Sequence, residues 1–480
     1  MFGTGRGAGI AALALAGCAF VAVQMFDAQQ AAQANGRGAA GGRTTLNAAL
    51  AAAYKNNPQL NAQRAQVRAT DEAVPQALSG YRPQVSATAN VGVQYSDTHT
   101  QSSQTGNLNT AGTRVPRGYG FTATQTLFNG FRTGNNTRAA ESQVFAAREG
   151  LRVMEQQVLL DAVTAYMNVL RDTAILELQR RNVEVLEEQL RQTRDRFNVG
   201  EVTRTDVAQA DSRLAAARSQ ALQAEANLST SRAIYRRVIG TDPVNLAPGQ
   251  PVDRLSPSTQ TGSIQRADTE NPAVTAAMYG VDIALLQVKI SQGALYPVLT
   301  VQGNIQQNFD TSPTTTRSFA ASAIAQLTIP IYQGGIEYSL IRQSKETLGQ
   351  QRLSLEQQRD IVRANVVQAW GLLDASRAQI QAAQAQVAAA EIALNGVREE
   401  ARVGQRTTLD VLNAQQELVN ARVTLVTAQR DRVVNSYTLL SATGRLGPEV
   451  LKLPTQIYDP RIHYHQVRDA WIGVRTPDGR

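Results

Sequence analysis

The feature that most restricts how this chain can fold is an internal duplication. Gly200 and Gly404 lie 204 positions apart, and the same spacing separates Gly240 from Gly444. Each of the first two glycines follows a run of roughly sixty residues with helical periodicity, and a second helical run begins a few residues later. Because glycine readily takes the positive φ that ends a helix, we predict two long helical hairpins made from one duplicated half.

The start of each returning helix is predicted from the residues just after the glycine. At the tips near 199–206 and 403–410, threonines stand close to an aspartate. A threonine oxygen can accept hydrogen bonds from the free backbone N–H groups of a helix's first turn. We therefore expect Thr205 and Thr408 to start the returning helices.

Before each hairpin, apolar and polar residues alternate with the two-residue period of β-strands. The segments with this pattern cover 84–96, 118–128, 298–309 and 318–331, and a polar loop is predicted over 97–117. One face of each strand is apolar, and the other is rich in Gln, Asn, Ser and Thr. Because the chain offers no other apolar layer to cover four such strands, we interpret them as part of an outer-membrane barrel with a wet interior.

Four strands are too few to close a barrel, since the smallest transmembrane barrels have about eight. Several identical chains must therefore share one barrel. A dimer would provide eight strands and a trimer twelve, and only the larger leaves a wide water-filled interior. The predicted fold class is an α+β membrane protein with two internal repeats: four β-strands per chain join a trimeric 12-stranded transmembrane barrel, which continues into a long α-helical coiled-coil barrel.

The order of these segments divides the chain into five parts. Helices without proline are predicted over 133–198 and 336–402. Each repeat contains a short helix, two strands and a long hairpin. The predicted parts are a signal peptide over 1–34, a first repeat over 44–240, a connector over 241–270, a second repeat over 271–444 and a C-terminal tail over 445–480.

The first 34 residues carry the pattern of a secretory signal peptide. Arg6 is followed by an apolar run over 10–23 and by the cleavage-like motif Ala32-Gln33-Ala34. Leu15-Ala16-Gly17-Cys18 also matches a lipobox, which would make Cys18 a lipidation site. Because the residues after Cys18 stay apolar, unlike most mature lipoprotein starts, we favour its removal with the signal.

The composition argues against a compact enzyme. Aromatic residues make up 5% of the chain, and the net charge of +8 is spread without a dense basic run, so we predict no nucleic-acid partner. A single cysteine cannot build a thiolate metal cluster. We place His463 and His465 on one side of a surface strand, and the histidines lack zinc-ligand spacing. No catalytic constellation is recognisable, so we predict neither enzymatic activity nor a cofactor.

The order of signal, helix, strand pair and long hairpin, with everything after the signal duplicated, resembles the TolC family of outer-membrane channel-tunnels. The resemblance covers about residues 44–444. Its most specific part is the tip, where Arg406-Thr407-Thr408-Leu409-Asp410-Val411-Leu412 follows Val403-Gly404. In the tail, Tyr458-Asp459-Pro460 and Trp471 resemble the subgroup that serves type I protein secretion.

The resemblance implies a homotrimer whose barrel spans the outer membrane and whose helices cross the periplasm. The implied partners are a periplasmic adaptor (membrane fusion protein), an inner-membrane ABC transporter or proton-driven pump, and outer-membrane lipid. The channel itself would be a passive conduit without a cofactor.

The resemblance also implies a gate at the periplasmic helical tips. Arg406 would pair with Asp206 of the other hairpin, with Thr205 nearby. Three copies of Asp410 would line the constriction and attract cations. Asn413 stands where the family often has a second aspartate, which weakens the expected cation preference. The adaptor would dock on the turns formed by Val199, Gly200, Val403 and Gly404.

Three functions are compatible with these observations. The first is an exit duct for type I protein secretion, which the tail favours. The second is the outer-membrane component of a multidrug or metal efflux pump. The third is a soluble coiled-coil scaffold in which the strands form only a small sheet.

Overall fold

The computed structural model describes residues 43–102, 106–312, 315–477 and 479, and the predicted signal peptide and Cys18 lie outside this part of the chain. The helices are α1 Leu46–Asn56, α2 Pro58–Asp71, α3 Ala73–Leu78, α4 Arg132–Asn198, α5 Arg204–Ile239, α6 Gln260–Glu270, α7 Pro272–Gly293, α8 Ile336–Arg402, α9 Thr408–Ala442 and α10 Arg461–Val467. The strands are β1 Gln84–Val91, β2 Gln94–Ser102, β3 Gly106–Arg114, β4 Arg117–Asn129, β5 Val298–Ser312 and β6 Thr315–Thr328.

Two helical hairpins dominate the fold. Helices α4 and α8 each contain 67 residues, which corresponds to roughly 100 Å at 1.5 Å per residue. Helices α5 and α9 pack along them. Near the first tip the buried side chains form a narrow seam, where Leu186, Leu190, Ala210 and Leu214 pack together. Seams of this kind join neighbouring helices into a layer.

Each repeat begins with the same asparagine–proline clamp. Asn57 and Asn271 cap the helices that follow them, because their side-chain oxygens accept backbone N–H groups of the first turn. Their Nδ2 groups also donate, at 3.0 Å, to carbonyls near the end of the returning helix: Asn57 to Val238 and Asn271 to Ala442. Proline is tolerated in the position after each cap, where no N–H donor is needed. The same contact thus ties the start of a helix to the end of the returning helix within each repeat.

One stretch of the described residues, Gln260–Gly293, has the length and hydropathy of a membrane-spanning helix. Asn271 and Pro272 divide it into α6 and α7. Helix α7 packs against both α4 and α8. These two helices therefore cover part of the apolar surface of α7.

The strands form two separate antiparallel sheets. Strands β1, β4, β5 and β6 form a four-stranded sheet in that order, while β2 and β3 pair only with each other. The prediction of four strands with a loop over 97–117 is wrong, because the described residues contain six strands and most of that loop belongs to β2 and β3. The strand predicted over 84–96 is also wrong as a single unit, since it is divided at Gly92.

The division between the two sheets has a local cause. The Gly92 N–H donates to the Pro116 carbonyl at 2.9 Å, but Pro116 has no N–H to return. The ladder between β1 and β4 therefore ends there, and β2 and β3 pair beyond it. Strands β2 and β3 are rich in Ser, Thr, Asn and Gln and do not alternate apolar and polar residues. The sequence pattern that predicted the other strands was therefore absent.

The four-stranded sheet has one apolar face. In one row across it, Phe121 pairs with Ile305, and Ala87 and Ala321 lie on either side. The side chains of Phe121 and Ile305 are 56% and 52% exposed. Nothing in the described part of the chain covers this face, which is what a lipid-facing surface requires.

The opposite face of the same sheet is polar. In the next row, Thr122 pairs with Asn304, and Ser86 and Ser322 lie on either side. The Thr122 hydroxyl donates to Asn304 Oδ1 at 3.3 Å. The outer edges of β1 and β6 have no partner strand among the described residues, so the sheet is open.

Two consecutive residues with positive φ lead from the sheet into each long helix. They are Gly130 and Phe131 in the first repeat (φ 66° and 61°) and Gly334 and Gly335 in the second (φ 70° and 85°). The first of these turns is also a close contact. The carbonyl oxygen of Gly293, at the end of α7, lies only 2.3 Å from where a Cβ at Gly130 would be. Glycine is therefore required there both by the backbone conformation and by the lack of space.

The C-terminal tail folds back along the helices. Leu446, Leu451 and Leu453 are buried in the largest core cluster, and α10 packs against α2. His463 lies on α10, with its Nδ1 atom 2.9 Å from Asp71 Oδ2.

The prediction of a surface strand carrying His463 and His465 is wrong. Pro460 precedes a helix, and the four-residue spacing of a helical face buries His463 together with Val467. His465 stays exposed on the other side. The short helix carries too little periodic pattern to be recognised from sequence.

Candidate functional site

The two hairpin tips have the same backbone geometry. Gly200 and Gly404 have φ values of 81° and 80°. At both tips, the N–H after the glycine donates to the carbonyl five residues earlier, at 2.9 Å. This is the arrangement with which glycine satisfies the free carbonyls at a helix end. The duplicated sequence therefore forms a duplicated turn.

The returning helices begin with capping boxes. The backbone N–H of Thr203 donates to Asp206 Oδ2 at 2.9 Å, and the Asp206 N–H donates to Thr203 Oγ1 at 3.3 Å. Thr407 and Asp410 repeat both bonds, at 3.0 and 3.2 Å. Each box satisfies two backbone donors and places a carboxylate in the first turn, where the helix dipole favours negative charge.

The caps are therefore Thr203 and Thr407 and not the predicted Thr205 and Thr408, although Thr408 is the first residue of α9. A reciprocal box requires the acid three residues after the cap, and Thr205 is too close to Asp206 to form one. Thr205 is instead an exposed residue within the first turn of α5. The spacing threonine-x-x-aspartate was present in both tips and would have identified the correct caps.

The capping bonds lower the pKa values of both aspartates. Hydrogen bonds from the Thr407 backbone N–H and hydroxyl hold the pKa of Asp410 below its usual value. The Thr203 hydroxyl and backbone N–H do the same for the pKa of Asp206. Both carboxylates are partly exposed and remain ionised at neutral pH, so each tip carries a fixed negative charge.

Arg406 does not contact Asp206 within this chain. Its Nε atom donates to Glu400 Oε2 at 2.8 Å, on the preceding helix of the same hairpin. Asp206 directs one oxygen to its own cap. A pair between Arg406 of one subunit and Asp206 of a neighbour stays a prediction, because the structure contains one chain.

The two hairpins contact each other one to two helical turns from the tips. Arg213 Nη2 on α5 donates to Asn413 Oδ1 on α9 at 2.8 Å. Beside this bond, Leu412 is buried against Leu186 and Leu214 of the first hairpin. Asn413 is therefore a link between the two hairpins. Sequence reasoning missed Arg213, and we see no signal for it in a single sequence, because the contact joins residues two hundred positions apart.

The outermost residues of both tips are apolar and uncovered. Val199 is 78% exposed and Val403 is 70% exposed, and each precedes the turn glycine. Exposed valines at the end of a long helical hairpin are available for contact with another protein.

The chemistry of the tips is that of reversible contacts. Within the described residues, no group of three or more His, Cys, Asp or Glu side chains is arranged to hold a metal ion. The charged groups instead form water-exposed pairs, such as Arg406 with Glu400 and Arg196 with Glu201. Exposed ion pairs of this kind break and re-form easily.

Comparisons with known proteins agree with this architecture. The sequence profile described as "Outer membrane efflux protein" matches residues 49–241 and 263–445, one block for each repeat. The outer membrane efflux protein BepC of Brucella suis is 42% identical over 438 residues, covering 91% of this chain and 93% of BepC. The outer membrane protein TolC of Vibrio cholerae is 28% identical over 406 residues, covering 83% of this chain and 90% of TolC.

Solved structures of outer-membrane channels have the same fold. The CmeC outer membrane channel of Campylobacter jejuni superposes with a TM-score of 0.73, covering 88% of this chain and 89% of CmeC. The sequences are 16% identical. The likeness at this identity concerns the fold alone.

Proposed function

Since the chain belongs to the outer membrane efflux protein family, it is an outer-membrane channel protein, and we propose that three copies form the exit duct of a tripartite export system. The resemblance to the TolC family and the outer-membrane location predicted from the sequence are confirmed by these relatives. The hypothesis of a soluble scaffold is wrong for the same reason. Members of this family are channels and not enzymes.

The observation that carries the proposal is the open sheet with one apolar and one polar face. In a lipid bilayer every backbone N–H and C=O must find a partner, so an open sheet edge is unstable there. Pairing β6 of one copy with β1 of the next satisfies both edges. Three copies of the four-stranded sheet then close a barrel of about twelve strands, with the Thr122–Asn304 row facing the water-filled interior.

The helical hairpins supply the rest of the duct. At roughly 100 Å, α4 and α8 are long enough to extend far from the membrane. We propose that they cross the periplasm as a second barrel and that the tips with Val199 and Val403 dock onto a periplasmic adaptor. An ABC transporter or a proton-driven pump in the inner membrane would supply the energy.

The gate is proposed to lie at the same tips. Helices α5 and α9 bring Asp206 and Asp410 to the narrow end of each hairpin, and Asn413 holds the hairpins together. Three copies of each aspartate would ring the opening. A mouth held by exposed ion pairs can open when an adaptor competes for them.

The proposed latch predicts that Arg406→Gln increases the closed-state conductance in planar bilayers. Removal of an exposed ion pair should raise this conductance by roughly two- to fivefold. Arg402→Gln is the matched control, since Arg402 lies at the same tip and forms an exposed ion pair with Glu399 of its own helix, which is not part of the proposed latch. Glu400→Gln distinguishes the two possible partners of Arg406. It should raise the closed-state conductance only if the pair with Glu400, rather than a pair with Asp206 of a neighbouring subunit, keeps the mouth closed. An unchanged conductance for Arg406→Gln would contradict the latch.

The proposed constriction predicts that Asp410→Asn lowers the cation-to-anion permeability ratio, by about twofold or more. Asparagine is the informative replacement, since its side-chain oxygen can still accept the N–H of Thr407. Because the pKa of Asp410 is held below the usual 3.8, the wild-type preference should persist at pH 3.8, where an ordinary aspartate is half protonated. Reversal potentials that do not change between the two proteins would remove Asp410 from the pore.

Two cargo classes are candidates. The second predicted function, efflux of drugs or metals, is favoured by BepC only in that it is named as an efflux protein and is 42% identical. Type I protein secretion is favoured by the tail motif around Tyr458 and by Trp471. In the structure this tail is an ordered part of the fold, with Tyr458 stacked beside Arg64.

Deletion of the gene distinguishes the two classes. Loss of one or more secreted proteins, with unchanged drug susceptibility, would identify protein secretion. Increased susceptibility with an unchanged secreted fraction would identify efflux. Complementation with the wild-type gene is the control, and a deletion strain that is normal in both assays would contradict the proposed duct.

A further inference from the structure

The last residues of the tail reach the base of the four-stranded sheet. Arg82, two residues before β1, stacks its guanidinium over the Trp471 ring at 4.6 Å. Its Nη1 atom also donates to the Ala470 carbonyl at 2.7 Å. These two contacts fix Trp471 at the level where the chain enters the barrel.

At this anchor the segment Trp471–Val474 is apolar and uncovered. Trp471 is 66% exposed, Ile472 is 95% exposed and Val474 is 100% exposed. The tail is also held in place upstream of Trp471. His463 is buried against Asp71 and keeps α10 on α2. These contacts leave the apolar side chains of Trp471, Ile472 and Val474 exposed to the surroundings at the base of the sheet.

The same level of the molecule carries other aromatic residues. Tyr81, Phe131 and Tyr296 line one groove at the junction of sheet and helices, and all three are more than half exposed. Glu141 lines that groove too and forms an ion pair with Arg468 of the tail, at 3.5 Å. The tail therefore joins a band of aromatic residues directly below the apolar face of the sheet.

Positive charges accompany this band. Arg138 and Lys289 line the groove with the aromatic residues. Arg82 stacks on Trp471, which is preceded by Asp469 and followed four residues later by Arg475. Aromatic side chains beside cations are typical of the boundary between hydrocarbon and headgroups, where rings settle among the headgroups and cations meet lipid phosphates. A docking surface for a protein partner would have no reason to lie at the edge of the lipid-facing sheet, where this aromatic band lies.

We propose that the segment Trp471–Val474 inserts into the phospholipid headgroup layer on the side of the helical hairpins. There it anchors the C-terminal tail to the membrane and adds to the aromatic band around the barrel. The occupant of this surface is a leaflet with anionic headgroups. The inference rests on the proposed membrane-spanning duct, because only then does the base of the sheet lie at the bilayer surface.

The two tryptophans of the chain allow a direct test. In Trp370→Phe, Trp471 is the only tryptophan, and in Trp471→Phe only Trp370 remains, on α8 within the helical layer. The full-length proteins are reconstituted into vesicles of phosphatidylethanolamine and phosphatidylglycerol whose acyl chains are brominated near the headgroup. We expect Trp471 to lose roughly half of its emission in these lipids, as a ring at the headgroup level would, and Trp370 to lose none.

Three outcomes would contradict the proposed insertion of Trp471 into the headgroup layer. Conducting vesicles in which Trp471 is quenched by aqueous iodide but not by brominated lipid overturn this inference alone. Conducting vesicles in which neither quencher reaches Trp471 overturn it as well, because a neighbouring subunit then covers the ring. Vesicles without conductance overturn the proposed duct, and with it the inference. If Trp370→Phe folds poorly, the difference between wild-type and Trp471→Phe signals measures the same quenching.

Discussion

Replacing Phe121 with arginine is expected to prevent the chain from assembling in the outer membrane, whereas replacing its neighbour Thr122 with arginine is not. The two residues are adjacent in β4 and lie on opposite faces of the sheet. An arginine on the lipid face near the bilayer centre costs about 2–4 kcal/mol per chain. In a trimer the cost arises three times, while an arginine at 122 remains in the water-filled interior.

The measurement is the amount of heat-modifiable oligomer in the outer-membrane fraction. We expect Phe121→Arg to reduce it to near background and Thr122→Arg to leave most of it. Ser322→Arg, in the same polar row, is a second control on another strand. Equal losses for Phe121→Arg and Thr122→Arg would mean that the apolar face is not exposed to lipid, and the proposed barrel would have to be abandoned.

Gly130→Ala is expected to destabilise the joint between sheet and helices by several kcal/mol. A Cβ at this position would lie 2.3 Å from the Gly293 oxygen and 2.8 Å from Tyr296 Cβ. The positive φ adds roughly 1–2 kcal/mol for a residue with a side chain, and the overpacking adds about 1–3 kcal/mol. Because the Gly293 oxygen belongs to the backbone, it cannot move aside as a flexible side chain would.

The duplication provides a matched control for this variant. Gly334 occupies the equivalent turn in the second repeat with a φ of 70°, but no atom lies within 4 Å of its ideal Cβ position. Gly334→Ala should therefore show the cost of the backbone conformation without the clash. The temperature at which purified oligomers dissociate should fall much further for Gly130→Ala than for Gly334→Ala. Equal shifts would show that the contact with Gly293 contributes nothing.

Local patterns were sufficient for the regular elements. The helices predicted over 133–198 and 336–402 are observed as Arg132–Asn198 and Ile336–Arg402, because helical periodicity accumulates over many turns. The apolar faces of β1, β4, β5 and β6 were also recognisable, since each strand alternates along its length. Strands β2 and β3 were not, because polar residues on both faces leave no alternation to detect.

The contacts at the candidate site were less accessible from sequence. The Thr203 and Thr407 caps could have been identified by their spacing to aspartate, so that error was one of interpretation. The partner of Arg406 could not be identified from the sequence, because Glu400 and Asp206 are both acidic. Only the folded structure shows which of the two lies within hydrogen-bond distance. The bond between Arg213 and Asn413 likewise depends on how two hairpins lie against each other.

The duplication, the two long hairpins with their glycine turns, and the apolar and polar faces of the strands can all be read from the amino-acid sequence. These follow from periodicity and backbone preference, which act between residues close together in the chain. Three other features are visible only in the folded chain: β1 and β6 form the edges of an open sheet, Gly293 leaves no room at Gly130, and the tail returns to Arg82. Each of these depends on two distant segments meeting in space, and no short-range pattern specifies that distance.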